Sequence, residues 1–391
     1  MRRSDERILT THTGSLPRSA LLSDLLVRQE AGEAIDLALL ARETEANVMR
    51  VIERQAAAGV DIGNDGEQPR VGFQTYVVER MNGFGGASKR KRPSDTSKFP
   101  AYAEMLRKRF PHRAKVANAP QAIAEVSYKD LSGVRAECDL FNKCLERTHA
   151  HFVEPFMTAA SPGIIATTML NAHYDSFENY VFALAREMRK EYREIHARGL
   201  LLQLDAPDLA MERTVMFQDQ PLADFLAMVE INVAALNEAL DGIPADRVRL
   251  HCCWGNYDGP HLDDVPLTEI LPMLYQARVG ALSLEFANPR HQHEYKAMQA
   301  MPLPDRMVLI PGVLDSTTNI VEHPEVVADR ICQAVDAVGD RSRVIAGSDC
   351  GFGTFAGYEY VAEDVVWAKL EAAAAGARIA SLRLWGKSQT G

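Results

Sequence analysis

Short apolar runs, many of them β-branched, alternate along this chain with long amphipathic segments, and most of the runs end in Gly, Asp, Asn or Pro. Eight such runs stand out: Ile8–Thr13, Val60–Gly63, Ile164–Met169, Leu200–Leu204, Val248–Cys253, Leu282–Phe286, Val308–Val313 and Val344–Ala346. Between them, or after the last, apolar residues at three- and four-residue steps predict helices over Leu37–Ala58, Phe177–Ala197, Leu222–Leu240, Pro324–Val338 and Val365–Ala375. A parallel sheet with crossover helices has this alternation. Eight strand–helix units point to an α/β chain folded as a TIM (β/α)8 barrel. An open doubly wound sheet is the competitor, but no run leads into a G-x-G-x-x-G turn. Residues 83–161 are long for one connection and read as an insertion between strands two and three, with an extra strand at Arg113–Ala117 and a helix around Asp139–His151. Residues 1–391 then make one catalytic barrel domain.

In such a barrel the groups that carry chemistry follow the strands. Here those segments read THTGSLPR, DIGNDGEQPR, QLDAPDLA, HCCWGNYDGPH, LEFANPRHQHE, GVLDSTTN and GSDCGFGTF, rich in carboxylates, His, Asn and Gly. The densest is Arg249–Tyr257. Side chains on a strand alternate faces, so His251 and Cys253 point one way and Cys252 the other. Glu285 and Cys350, each at the end of its own strand, complete a set of one imidazole, two thiols and one carboxylate that suits zinc. The competing reading of His251 and Cys253 as ordinary core residues weakens once those two partners are counted. Cys138, Cys144 and Cys332 lie in helical stretches and read as small apolar residues.

Two thiolates and one carboxylate around a dication leave a net negative site, a poor generator of hydroxide but a good holder of a substrate thiolate. Such a site serves S-alkylation better than hydrolysis. A second constellation, Ser15, Glu67 and Asp205, follows strands one, two and four. Its carboxylates would hold an ammonium group, or one would act as acid or base. Arg18 and Arg70 would bind a carboxylate or sulfonate, and His12 or either arginine would steady a developing alkoxide. Each of these residues reads equally well as a loop cap or an ion-pair partner. His173, His261, His291 and His293 are further candidates.

The formal net charge of −10 argues against nucleic acid as a partner. The basic run Lys89-Arg90-Lys91-Arg92 reads as a solvated loop before it reads as a phosphate site. No stretch approaches a membrane span, the first residues lack the apolar core of a secretion signal, and six cysteines in so long a chain form no disulfide framework. A reducing cytoplasm is the expected compartment, with assembly into a homo-oligomer left open.

Taken in order, THTGSLPR, NDGEQPR, LQLDAPDLA, H-x-C, S-x-E, GVLDS and SDCGF resemble the catalytic barrel of the cobalamin-independent methionine synthases over Ile8–Trp385. HCCWGNYDGPH and DSTTNIVEHPE are most similar to the short branch with a single barrel, which includes epoxyalkane:coenzyme M transferases. The resemblance implies zinc on His251, Cys253, Glu285 and Cys350, and a grip by Ser15, Glu67 and Asp205 on the amino-acid part of homocysteine. The chain departs from the synthases after Asp315, where Ser316-Thr317 stands in place of a histidine, and after strand three, where TMLNAHY lacks their aromatic residue. It also lacks their second barrel. The expected activity is therefore methyl transfer to homocysteine or a similar small thiol, from a donor that need not be a folate. The alternative is addition of coenzyme M or a like thiol to an epoxide. A reading of another class is a non-catalytic, thiol-binding protein with structural zinc.

Overall fold

A run of residues buried on both faces reads as continuously apolar, and seven of the strands are built this way. The computed structural model describes residues 1–110 and 119–386. Its strands are β1 (Leu9–Thr10), β2 (Met81–Gly85), β3 (Gln121–Tyr128), β4 (Phe156–Ala160), β5 (Leu201–Asp205), β6 (Val248–Cys252), β7 (Ala281–Leu284), β8 (Val308–Leu314) and β9 (Ile345–Ser348). All but β2 and β3 form one curled parallel sheet in the order β1-β9-β8-β7-β6-β5-β4. Residues 60–63 are too irregular to count as a strand, yet they bridge the sheet's two ends. Ile62 N donates to Thr10 O at 3.0 Å, and Phe156 N donates to Gly63 O at 3.0 Å. The sheet therefore curls into a TIM-like barrel with helices outside.

Helix Leu37–Ala58 shows how local sequence sets an outer element. The Asp36 carboxylate accepts from Ala38 N and Leu39 N at its start, and Gly59 at φ 84° ends it. The expected helices Phe177–Ala197 and Pro324–Val338 form as read, Leu222–Ala239 stops one residue early, and the last helix runs longer, over Glu363–Trp385.

One expected strand is wrong. Ile164–Met169 lies mostly in the helix Pro162–Thr168, and the barrel strand is β4, just before it. The run is β-branched, but Ser161 Oγ accepts from Ile164 N at 3.1 Å and Pro162 sits at the first helical position, which together start a helix. The bounds of the expected insertion shift as well. Its far end holds β4 itself, and helix Ser132–Thr148 packs beside Leu37–Ala58 in the outer layer. What leaves the barrel is the stretch from Met81 to Tyr128, whose ends pair as the antiparallel strands β2 and β3. The strand expected at Arg113–Ala117 lies outside the described residues.

This excursion lies over the barrel mouth. Arg90 pairs with Glu212 after β5, and Lys91 reaches Asp219 at 3.0 Å. Asp95 Oδ2 accepts from Tyr257 Oη at 3.0 Å and from His261 N at 2.7 Å, both in the loop after β6. Arg109 donates to Tyr360 O after β9. Within the basic run Lys89, Lys91 and Arg92 are exposed as expected, and Arg90 alone is a clasp on a wholly buried glutamate. No helix of the described residues is long and apolar enough to cross a membrane.

Candidate metal and substrate site

Strand alternation places Arg249, His251 and Cys253 on the interior face of β6, while Cys252 is fully buried in the apolar layer on the other side. Cys350 arrives two residues past β9. The donor atoms of His251, Cys253 and Cys350 all lie within 4.8 Å of one another. His251 is 2% exposed, and its ring meets the Cys253 thiol but no oxygen or nitrogen partner. A buried imidazole with only a thiol beside it is poorly satisfied, and an ion between the two would satisfy both. Hydrogen bonding between the thiols lowers the pKa of Cys253 well below the usual range and raises that of Cys350.

The fourth expected ligand, Glu285, stands beside this trio and not within it. Its oxygens accept from Trp254 N at 3.0 Å and Asn288 Nδ2 at 2.7 Å. Burial, with the nearby Cys253 charge, raises its pKa well above the ordinary value. A carboxylate oxygen has lone pairs beyond one hydrogen bond, so these contacts orient Glu285 and leave it able to ligate.

The second constellation adjoins the first through strand register, for Asp205 is paired directly with His251. Burial raises the Asp205 pKa to about 7, with Glu67 adding to it, and Gln203 Nε2 donates to Oδ1 at 2.9 Å. Glu67 is 2% exposed, adopts φ 55°, and has Oε2 unpartnered. A non-glycine residue at positive φ is strained backbone, here beside the candidate site. A Cβ on Gly14 would lie 2.9 Å from Glu67 Oε1 and 2.6 Å from the Thr158 methyl, so only glycine lets the first loop approach. Ser15 meets the Cys350 loop just as closely, since a Cβ on Gly351 would fall 2.0 Å from Ser15 Oγ.

Three expected site groups turn out to be committed elsewhere. Arg18 donates to Gly353 O and, at 2.7 Å, to Glu67 O, tying three loops together. Arg70 gives Nε and Nη2 to Glu137 and Nη1 to Thr158 Oγ1, with its guanidinium over the Tyr76 ring. Both arginines are buried scaffolding: every nitrogen of the Arg70 guanidinium is engaged, and Arg18 keeps only Nε without a partner. His12 Nε2 pairs with Gln55 Oε1 at 2.8 Å, and burial lowers its pKa to about 4. It is neutral at physiological pH and does not fit the expected role of acid or cation.

No family model matches the chain. It is 24% identical over 343 residues to a methionine synthase of Sulfurisphaera tokodaii, covering 88% of this chain and 85% of that one. It is 26% identical over 226 residues to the 2-hydroxypropyl-CoM lyase of Xanthobacter autotrophicus, covering 51% and 55%. The solved B12-independent methionine synthase of Shewanella sp. W3-18-1, in complex with selenomethionine, has the same fold, with a TM-score of 0.71 at 22% identity over 97% of this chain and 100% of that one. Over most of its length the chain is thus similar to methionine synthases.

Several residues that build the site do not stand out in the sequence. Asp349, next to Cys350, accepts from Phe286 N, Ala287 N and Asn288 N at 2.8–2.9 Å and so ties the loop after β7 to the loop after β9. Asn256 bridges three loops, and Asn288 aims Glu285. His261 and His291, already candidates from the sequence, both bond Asp264 Oδ2 at 2.9 Å, with Tyr257 stacked on one ring and Trp254 on the other. The Asn and Asp residues were in view inside HCCWGNYDGPH, LEFANPRHQHE and GSDCGF, but nothing in one sequence says which distant loop each one reaches.

Proposed function

We propose that this protein is a zinc-dependent thiol alkyltransferase, a single catalytic unit over residues 1–391 and a cytoplasmic enzyme, that transfers a methyl group to homocysteine or a similar small aminothiol. The observation that carries the reading is the meeting of His251, Cys253 and Cys350 within 4.8 Å, with no oxygen or nitrogen partner for either His251 ring nitrogen. Two sulfurs, one nitrogen and the adjacent Glu285 oxygen are a donor set for zinc. Zinc, when bound, supplies a Lewis-acid centre that keeps a thiol deprotonated and nucleophilic at neutral pH.

The chain's own residues decide which thiol. Glu67 Oε2 and Asp65 Oδ2 are buried without partners, and Asp205 lies one strand spacing from His251. These carboxylates would seat an ammonium group beside the metal ligands and orient the sulfur for in-line attack on the alkyl donor. A sulfonate thiol such as coenzyme M would need a free cation, and Arg18 and Arg70 are already engaged. The likeness to 2-hydroxypropyl-CoM lyase keeps addition of a thiol to an epoxide as the second reading.

The test is thiol depletion by zinc-loaded protein, offering homocysteine and coenzyme M in turn with methyltetrahydrofolate, methylcobalamin, S-methylmethionine and epoxypropane. Homocysteine consumed with a methyl donor, lost on chelation and restored by zinc, supports the first reading. Coenzyme M consumed with epoxypropane replaces it with the second.

A further inference from the structure

Cys350 is the metal-site donor that the barrel ladder does not place. Strand β9 ends at Ser348, so the thiol sits two residues beyond the last paired position, on a strand that is not adjacent to β6. Some of its neighbours are fixed from elsewhere. Ser348 Oγ donates to Cys350 O at 2.8 Å, Asp349 is held by the loop after β7, and Phe352 N donates to Ser15 O at 2.8 Å. None of these bonds sets Cys350 relative to Cys253.

Building on the reading of His251, Cys253 and Cys350 as metal ligands, we propose that Asn256 is a positioning residue that holds Cys350 beside Cys253. Asn256 lies three residues past Cys253. Its Nδ2 donates to Gly351 O at 2.8 Å and to Thr354 Oγ1 at 2.6 Å, and its Oδ1 accepts from Ser316 Oγ at 2.9 Å. Among the described residues, and apart from the thiol contact itself, these two Nδ2 bonds join the loop after β6 to the loop after β9. The amide faces are not interchangeable. A peptide carbonyl such as Gly351 O takes only a donor, and the Ser316 hydroxyl, by giving its proton to Oδ1, fixes which way the amide points. Gly351 follows Cys350 directly, so the clamp acts one residue from the sulfur's own backbone. Ser316 stands in the segment after Asp315 where the chain departs from the synthases it resembles, and the clamp gives it a role other than proton transfer.

The experiment compares wild type with Asn256→Ala, Asn256→Asp and Ser316→Ala by two readouts. In competition with a chelator, Asn256→Ala should hold zinc about 10–100-fold more weakly, the range typical for groups that orient ligands. Asn256→Asp should be at least as weak, since a carboxylate oxygen would face the Gly351 carbonyl, and Ser316→Ala should lose a few-fold. The second readout needs no metal: the equilibrium between the reduced thiols and the Cys253–Cys350 disulfide in zinc-free protein, set by a glutathione couple. It should shift toward the thiols in the same order of variants. Unchanged zinc affinity and unchanged disulfide equilibrium in Asn256→Ala would overturn the proposal. Wild-type protein that binds no zinc, with a disulfide equilibrium that still shifts, would overturn the metal reading and leave the clamp standing. If Asn256→Ala fails to fold, Ser316→Ala carries the same test, and wild-type behaviour in both readouts rejects the clamp.

Discussion

The strand ends that carry His251, Cys253 and Cys350 and the excursion that lies over them are built in opposite ways. The strand ends hang from parallel ladders whose residues are buried throughout, and their carboxylates and amides point inward to partners with few alternatives. Helix Pro100–Arg109 of the excursion has no buried residue, and the stretch before it is held mostly by side chains, Arg90 on Glu212, Ser94 and Lys98 on Asp263, Asp95 on Tyr257 and His261, with one backbone bond from Ser94 N to Thr214 O. Exposed pairs such as Lys98–Asp263 contribute about 0–1 kcal/mol, whereas a buried ladder must open as a unit. The difference teaches where motion belongs. Ser15, Glu67, Asp205, His251, Cys253, Glu285 and Cys350 are each at most 7% exposed, and the expected route for substrates is through the more loosely held cover.

The largest expected effect breaks the rigid half. Cys350→Ser should lose most bound zinc and all alkyl transfer, measured by metal content and thiol consumption; full zinc in that variant would remove the site from consideration. Next, Glu67→Gln should raise KM for an aminothiol about thirtyfold, the worth of one charge-assisted hydrogen bond, and leave a thiol without an amine unaffected. Equal losses for both thiols would show that Glu67 supports the backbone alone. On the cover, Asp95→Ala removes two bonds to the loop after β6. The rate at which a thiol reagent labels Cys253 and Cys350 in zinc-free protein should rise about tenfold, consistent with roughly 1.5 kcal/mol for a bond to a charged group. An unchanged labelling rate would place the entry route elsewhere.

A smaller effect separates scaffold from chemistry through pH. Burial holds His12 neutral, with its pKa lowered from 6.5 to about 4. The unfolded chain therefore takes up this proton before the folded one does, so its contribution to stability is complete above pH 6.5 and declines as the pH falls toward 4. His12→Asn should flatten thermal stability against pH across that window and leave the pH dependence of alkyl transfer near neutrality unchanged. Smallest of all, Cys252→Ser should leave metal content as it is, because this thiol faces the helices. Zinc loss there would mean that the strand register is misread.

The same contrast explains what the sequence made legible. His251 and Cys253 could be paired because strand alternation is a local rule, and Cys350 because it ends a recognisable strand. The TIM-like barrel follows from the same alternation. Residues 60–63 were read as a strand although backbone bonds alone complete them, and Ile164–Met169 was misread because β-branched composition outweighed a Ser-Pro helix start. Arg18 and Arg70 read as anion binders because the type of a side chain does not disclose its partner. Glu137 lies 67 residues from Arg70, on the helix Ser132–Thr148. Asn256 and Asp349 were missed for that reason too, since their partners lie 60–98 and 61–63 residues away. The excursion's place over the mouth rests on such long-range pairs entirely.

Asp349 has a consequence for how proteins of this design can diverge. One carboxylate, beside a metal-ligand candidate, collects three consecutive backbone N–H groups of the segment Phe286–Asn288. A residue inserted or deleted there would put those donors out of step with a fixed acceptor, so the length of that loop is quantised even where its side chains are free to change. The excursion carries no such count. Descendants of this chain that take up new alkyl donors should therefore differ by insertions and deletions between Met81 and Tyr128, while the segment after β7 keeps its length to the residue.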